Sequence, residues 1–249
     1  MEQTLYKRPE SLTTKSTHYC PGCGHGIVHR LIAEAIDELG LREKTVGVAP
    51  VGCAVVAYYY FNFDVSEAAH GRAPAVATGI KRSRPNLNVF AYQGDGDLAS
   101  IGLAEIVHAA NRGENFTTVF INNTIYGMTG GQLAPTTLPN QKTTTSPCGR
   151  DTDTMGHPMK MCEMLNTLDN PYYIARVALD KPAGIRQAGK ALTKAFQYQT
   201  QGKGFTFVEI LSHCPIHWKM TPSQAMDFIG STVTKTFPVS VFRDKGESK

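Results

Sequence analysis

Apolar positions recur along the chain in two alternating periods. The segment GIVHRLIAEAIDELG sets Ile27, Leu31, Ile32, Ala35, Ile36 and Leu39 on one helical stripe, with Gly40 as its stop. A continuous apolar run, TVGVAPVG (45–52), then predicts a strand that ends in turn residues. The alternation continues with a helix over AVATGIK and a strand over NVFAYQ (88–93), which runs straight into GDGD. A helix over LASIGLAEIVHAANRG closes at Gly113, and TTVFINN (117–123) is the next strand. Residues 126–158 break this rhythm with many Gly, Pro and Thr; a loop of that length inside a compact domain is functional or disordered. Helix PMKMCEMLNTL, strand YYIARVAL, helix AGIRQAGKALTKAFQYQ and strand FTFVEIL (205–211) follow. Strands alternating with helices predict an α/β fold, a doubly wound, mostly parallel sheet covered on both faces. Ligands on such sheets sit at the carboxyl ends of the strands.

Length and charge narrow the picture. A chain of 249 residues is one large domain with extensions: an N-terminal extension over 1–17, the domain over 18–230 and a tail over 231–249. The net charge of +4, with no basic run longer than KRSR (81–84), argues against nucleic acid. A charged fraction of 18% hints at a surface partly covered by a partner. MEQTLYKRPESLTTK lacks the apolar core of a signal peptide, and no run of 18 apolar residues occurs. The expected location is therefore cytoplasmic, away from a membrane, where thiols stay reduced. Six cysteines in that setting point to metal or redox chemistry.

Two strand ends carry candidate chemistry. Gly94-x-Gly96-x-x-Ala99 satisfies a relaxed dinucleotide fingerprint, but Asp95 between the glycines would face a pyrophosphate uncompensated. A divalent metal removes that conflict. Asp95 supplies a carboxylate oxygen, while the Asn123 amide and a nearby backbone carbonyl supply two more, the diphosphate and water completing an octahedron around Mg²⁺. Gly94 and Gly96 let the backbone approach the phosphates at the start of the following helix. Either element alone reads as an ordinary turn; at two strand ends of one sheet they form a site.

GDG followed by Asn-Asn resembles the diphosphate-binding motif of thiamine diphosphate enzymes. HYCPGCGHG, PVGCA, HGRAPAVATGIK, GDGD, NNTIYGMTGGQ and the late Cys214 resemble, in order, the beta subunit of 2-oxoacid:ferredoxin oxidoreductases. The resemblance runs from about residue 15 to about residue 230. It implies a thiamine diphosphate-binding, diphosphate-side fold, with Mg²⁺ on Asp95, Asn123 and the carbonyl of Ile125. Gly94, Gly96, Asp97, Gly127, Met128 and the Val51-Gly52-Cys53-Ala54 turn would lie beside the cofactor. The implied activity is oxidative decarboxylation of a 2-oxoacid to an acyl-coenzyme A and CO₂, with electrons passed to ferredoxin.

The cysteines fit the same picture. A zinc ribbon needs a second close pair, which the chain lacks. A thiol–disulfide oxidoreductase using Cys20 and Cys23 remains the alternative, since CPGC before a helix is its local signature. A [4Fe–4S] cluster needs four thiolates. Cys53 follows the first strand and Cys214 the last, so both can meet Cys20 and Cys23 at the ligand edge of the sheet. The resemblance assigns the same four. Cys162 reads as core. His70 and Arg72 form a candidate substrate-side element, Arg72 offering a fork for a carboxylate and His70 a proton carrier; a surface turn is the competing reading. His25, His29, His213 and His217 read as packing or hydrogen-bonding near the cluster, and Trp218 and the YYYFNF run (58–63) as core or interface. The chain is too short to hold the pyrimidine-side domain as well. The resemblance therefore implies an alpha subunit carrying that domain, a gamma subunit and, as an optional fourth, a small ferredoxin-like subunit. The acid is left open among pyruvate, 2-oxoglutarate and branched-chain types. CPIHWKMTPSQAMDFI looks more like the 2-oxoglutarate or 2-oxoisovalerate subgroups.

Overall fold

The buried apolar runs pair edge to edge into one sheet in the computed structural model, which describes residues 7–247. In chain order the strands are β1 (Thr45–Ala49), β2 (Asp64–Glu67), β3 (Asn88–Gly94) and β4 (Thr117–Asn122). A small hairpin of β5 (Ile125–Tyr126) and β6 (Gln132–Leu133) follows, then β7 (Tyr173–Ala178), β8 (Thr206–Leu211) and β9 (Ser240–Asp244). The seven-stranded sheet runs β2-β1-β3-β4-β8-β7-β9, and every neighbouring pair is parallel except β7 with β9.

Helices cover both faces, as the alternation predicts. α1 (His25–Glu38) and, later, the 19-residue Pro182–Thr200 helix share one face, where Val28, Ile32 and Ile36 pack with Leu192 and Phe196 over Phe90 and Val208. Burying one such side chain contributes about 1.5–3 kcal/mol. α2 (Ala73–Ser83) and α3 (Leu103–Arg112) cover the other face. α4 (Thr152–Met155) is one turn within the long loop, and α5 (Met161–Leu165) buries Met161, Cys162 and Leu165 against β7, which places Cys162 in the core. With Pro182–Thr200 as α6, the chain ends through α7 (Pro215–Trp218), α8 (Pro222–Phe228) and β9.

Three features differ from the sequence reading. The helix expected over 98–113 is interrupted: Asp97–Ile101 forms a wide turn and α3 begins only at Leu103. The cause is a close approach, because a Cβ on Gly102 would lie 2.5 Å from the Gly71 carbonyl oxygen. β2 and β9 are edge strands, polar in DVSE and mixed in SVFRD, so neither shows a strand period. Of the residues expected as a tail over 231–249, those described, 231–247, pack onto the domain: Val233 and Phe237 are buried, and β9 pairs with β7. The N-terminal extension is likewise tied down over its described part. Asp37 accepts hydrogen bonds from Glu10 N, Ser11 N and Ser11 Oγ, and Leu12 bridges to Phe61. Residues 1–6 of the extension, and 248–249, lie outside the described residues. No helix among the described residues is long and apolar enough to cross a membrane.

A fully buried ion pair spans the sheet. Arg176 on β7 donates Nε to Glu209 on β8 at 2.8 Å and reaches Glu163 on α5 at 2.6 Å, with its guanidinium over the rings of Phe237 and Phe242. Removing one partner leaves the other charge buried and uncompensated, which costs far more than replacing both. Glu209→Ala is expected to lower stability by about 3–5 kcal/mol, and Arg176→Met with Glu209→Leu by clearly less, in urea denaturation of the purified chain.

Candidate active site

Four carboxyl ends lie side by side because β1, β3, β4 and β8 are consecutive in the sheet. They deliver the 50–54 turn, the 94–97 turn, the 122–125 turn and the 212–214 turn to one edge. Asp95 sits at its centre and is only 3% exposed. Its Oδ1 accepts from Gly96 N at 2.8 Å; its Oδ2 accepts from Thr136 Oγ1 at 2.7 Å and from Ile125 N at 3.2 Å. Burial pushes this carboxyl up to about 6, and those hydrogen bonds only partly oppose the shift. A dication bound to Asp95 would reverse it.

The Asn-Asn turn is held from several sides. Thr124 adopts φ 60°, a left-handed conformation that costs a residue with a Cβ about 1–3 kcal/mol. Asn122 Oδ1 accepts from Thr124 N at 3.2 Å, Thr137 Oγ1 donates to Thr124 O at 2.6 Å, and Gln141 donates to Thr124 Oγ1 at 2.8 Å. Asn122 is itself fixed by Glu209, which accepts from its Nδ2 at 2.7 Å, so the buried ion pair reaches this turn. Trp218 Nε1 donates to the carbonyl of Asn123 at 3.1 Å, which makes this core residue a prop for the turn.

A cavity of about 120 Å³ opens on this edge. Its walls include every one of the expected positions Val51, Gly52, Cys53, Ala54, Gly94, Asp95, Gly96, Asp97, Asn123, Ile125, Gly127 and Met128, together with His70. His25, Tyr126 and Thr129 complete it. A Cβ on Gly96 would lie 2.1 Å from the Tyr126 ring, whose hydroxyl donates to Gly96 O at 3.1 Å. The residues present fit a diphosphate and its metal: a buried carboxylate without a counter-cation, an amide oxygen and glycine walls around them.

Asp97 lines this cavity but spends its hydrogen bonds on its neighbours. It accepts from Gly71 N at 2.7 Å and Gln93 Nε2 at 2.6 Å, and His70 Nδ1 bonds to the same carboxylate. Arg72 is not among the walls; its guanidinium pairs with Glu105 on α3. Carboxylate recognition by Arg72 would first require that pair to open.

Four of the six thiols gather at one end of the cavity. A Cβ on Gly127 would lie 3.4 Å from Cys53 Sγ and 3.7 Å from Cys214 Sγ. Cys20 and Cys23 close a turn beside them, with Cys23 N donating to Cys20 O at 2.9 Å. Burial, with a smaller push from two of the other thiols in each case, raises the Cys53 and Cys23 thiols to about 11 and Cys214 to about 12. That is the opposite of an activated thiol, so the geometry gives the disulfide-exchange reading no support. Among the described residues, no three Cys, His, Asp or Glu side chains close on a single metal ion. A single zinc, with its ligands at about 2.3 Å, therefore does not suit these thiols. Buried Ser212 Oγ and His213 Nδ1, next to Cys214 and against Gly24, have no protein partner and would suit sulfur acceptors. Cys148 is exposed and apart.

The sequence reading set His25 and His29 near the cysteines as packing or hydrogen-bonding residues, but missed the other supports of this site. Tyr19 donates to Cys53 O at 2.8 Å and stacks on His25 at 4.9 Å, and His25 Nδ1 bonds Tyr92 OH at 2.5 Å. Burial keeps the His25 and His29 imidazoles neutral, His25 titrating only near 4. Arg150, 4% exposed, donates to the carbonyls of Ala134, Pro135, Thr137, Met155, Gly156 and His157. One guanidinium thus gathers the long loop that brings Thr136 to Asp95. Lysine has three donors on a point charge and cannot replace that fork. Arg150→Lys is expected to leave the 134–157 loop open to limited proteolysis at least about tenfold faster than the parent chain.

Comparison with known proteins follows the same outline. The family described as thiamine pyrophosphate enzyme, C-terminal TPP binding domain, matches residues 50–210. The ketoisovalerate oxidoreductase subunit VorA of Methanothermobacter thermautotrophicus is 52% identical over 241 residues, covering 97% of this chain and 50% of that protein. The chain thus spans about half the length of the VorA relatives it matches. The 2-oxoglutarate synthase subunit KorB of Archaeoglobus fulgidus is 37% identical over 240 residues, covering 96% of this chain and 84% of KorB. A solved 2-oxoglutarate:ferredoxin oxidoreductase from Magnetococcus marinus, with 2-oxoglutarate, coenzyme A and succinyl-coenzyme A bound, superposes with a TM-score of 0.79 at 26% identity, over 98% of this chain and 87% of that one.

Proposed function

The chain belongs to the beta subunits of the 2-oxoacid:ferredoxin oxidoreductase family, thiamine diphosphate-binding proteins, and on that premise we propose that it is the catalytic subunit of a cytoplasmic complex that converts a 2-oxoacid, coenzyme A and oxidised ferredoxin into acyl-coenzyme A, CO₂ and reduced ferredoxin. The observation that carries this reading is the shared edge, on which Asp95, the Asn-Asn turn and four cysteines occupy neighbouring strand ends. The partners in this proposal are an alpha subunit with the pyrimidine-side domain, a gamma subunit and an optional small ferredoxin-like subunit.

Asp95, Asn123 and the carbonyl of Ile125 would hold Mg²⁺, and the glycines at 94 and 96 would leave room for the diphosphate. When bound, thiamine diphosphate supplies a carbanion able to take up the 2-oxoacid carbonyl and store its electrons after loss of CO₂. A [4Fe–4S] cluster on Cys20, Cys23, Cys53 and Cys214 would supply a one-electron outlet beside it. The protein's own part is positioning. Asp97 engages His70 Nδ1, so Nε2 is the nitrogen left to hold or move a proton at the substrate. Tyr19 stacks on His25, one of the cavity's walls, and fixes that imidazole in place.

A branched-chain acid such as 2-oxoisovalerate fits best. Among the described residues, no Lys or Arg lines the cavity, so the second carboxylate of 2-oxoglutarate would meet no cation on its walls. Val51, Met128 and the nearby Ile216 leave apolar surface exposed for an alkyl chain. Two relatives 52% identical to this chain are named as ketoisovalerate oxidoreductase subunits.

Iron and acid-labile sulfide on this subunit, purified without oxygen, are expected at about four each per chain. Its absorbance is expected to bleach faster with 2-oxoisovalerate plus coenzyme A than with 2-oxoglutarate. Iron confined to partner subunits would refute the cluster assignment. Asp95→Asn is expected to weaken thiamine diphosphate binding by about 10–100-fold in calorimetry with Mg²⁺, while leaving iron content intact.

A further inference from the structure

We propose that the basic cleft beside the Cys20–Cys23 turn is the docking surface for the acidic iron–sulfur carrier that removes electrons from this subunit. The proposal rests on the cluster assignment above. The cleft, about 520 Å³, lies between the N-terminal segment and the first two turns of α1. Arg8, Lys15 and Arg30 line it, with Thr17, His29 and Tyr60, and no carboxylate does. Thr17 and Gly26 stand three residues to either side of the CPGC turn, so the cleft abuts the cluster ligands. Cys20 is the most exposed of the four thiols that converge there, which makes this the thin side of the cluster.

The cations are held in place. The Arg8 guanidinium bonds the Thr13 carbonyl, Lys15 Nζ sits 5.6 Å over the Tyr59 ring, and Arg30 Nε donates to Glu34 at 2.7 Å. The next groove along α1 is mixed in sign, with Glu10, Glu34, Asp37 and Glu43 beside Lys7, Arg8 and Arg42. An acidic partner is drawn to the cleft, where every charged wall residue is a cation, and meets carboxylates one groove away, which favours one register. A small anionic substrate suits the place less well. The stacked rings of Tyr19 and His25, with His29 packed edge-on, fill the space between the cleft and the cofactor cavity. Electrons cross such a wall, whereas atoms do not. Each docking moves one electron: the reduced cluster loses it, one oxidised carrier gains it, and two encounters discharge one 2-oxoacid oxidation.

The test uses the assembled complex and an acidic 2[4Fe–4S] ferredoxin. Arg8→Glu with Lys15→Glu is expected to raise the ferredoxin Kd about tenfold at low ionic strength, measured by calorimetry, with the difference shrinking as salt is added. The KM for ferredoxin is expected to rise in parallel, while reduction of methyl viologen and the iron content stay at parent values. The milder Lys15→Gln is expected to give a smaller shift of the same sign. Parent-like Kd and KM for ferredoxin in variants with full iron and viologen activity would overturn the docking site. Loss of iron from the parent subunit itself would instead overturn the cluster assignment, and the docking site with it.

Discussion

The structure turns on a carboxylate buried without a cation. Asp95 is held by one hydroxyl and two backbone amides, which is enough to fix its direction and too little to offset its desolvation. Much of the unusual local structure exists to keep it there. Thr136 reaches it only because Arg150 folds the long loop, and Ile125 N reaches it only because Thr124 turns left-handed. The cost of that turn is offset by the Asn122–Glu209–Arg176 network behind it. An apolar replacement of that network would suit stability; its retention makes sense as a register device for the turn. The molecule is thus strained toward a ligand that returns positive charge to Asp95.

Much of this was legible in the sequence because it depends on period and order. β1, β3, β4, β7 and β8 are short apolar runs buried on both faces, and the residues just beyond them can only be turns. Once the strands are parallel, Cys53, Asp95, Asn123 and Cys214 must share an edge. The unread parts depend on contacts between segments with no period of their own. Thr136 and Arg150 lie among many Thr and Gly in a loop where nothing local separates a hydroxyl on Asp95 from one in solvent. The family resemblance puts Asp97 beside the cofactor, and its hydrogen-bond partners are His70, Gly71 and Gln93. The edge strands β2 and β9 are short and half polar, and pairing alone defines them.

The order of the strands also bears on the electron path in the proposed function. The proposed thiamine diphosphate site would use the ends of β3 and β4, and Cys53 and Cys214 follow β1 and β8 on either side of them. Neighbouring strands are about 4.8 Å apart, so under the proposed function sheet register alone would set a two-electron site beside a one-electron outlet, without a dedicated linker. Gly127 is where they touch: a side chain there would press against Cys53 and Cys214.

Cavity size explains why so apolar a rim is left open. A space of about 120 Å³ is well below the roughly 300–1,000 Å³ of sites that enclose a whole ligand. In the proposed function it would take the diphosphate end of the cofactor and leave the remainder without a wall. Val51 and Met128 stand at its mouth, 42% and 50% exposed, with Tyr58, Tyr59 and Ile101 also exposed on the chain. Apolar surface gathered around an incomplete polar cavity is what an interface looks like before its partner arrives. In the proposed complex the alpha subunit meets this rim, so covering the apolar residues and completing the cofactor site become one event. Asp95 then loses its last access to water only when the group that compensates its charge is enclosed with it.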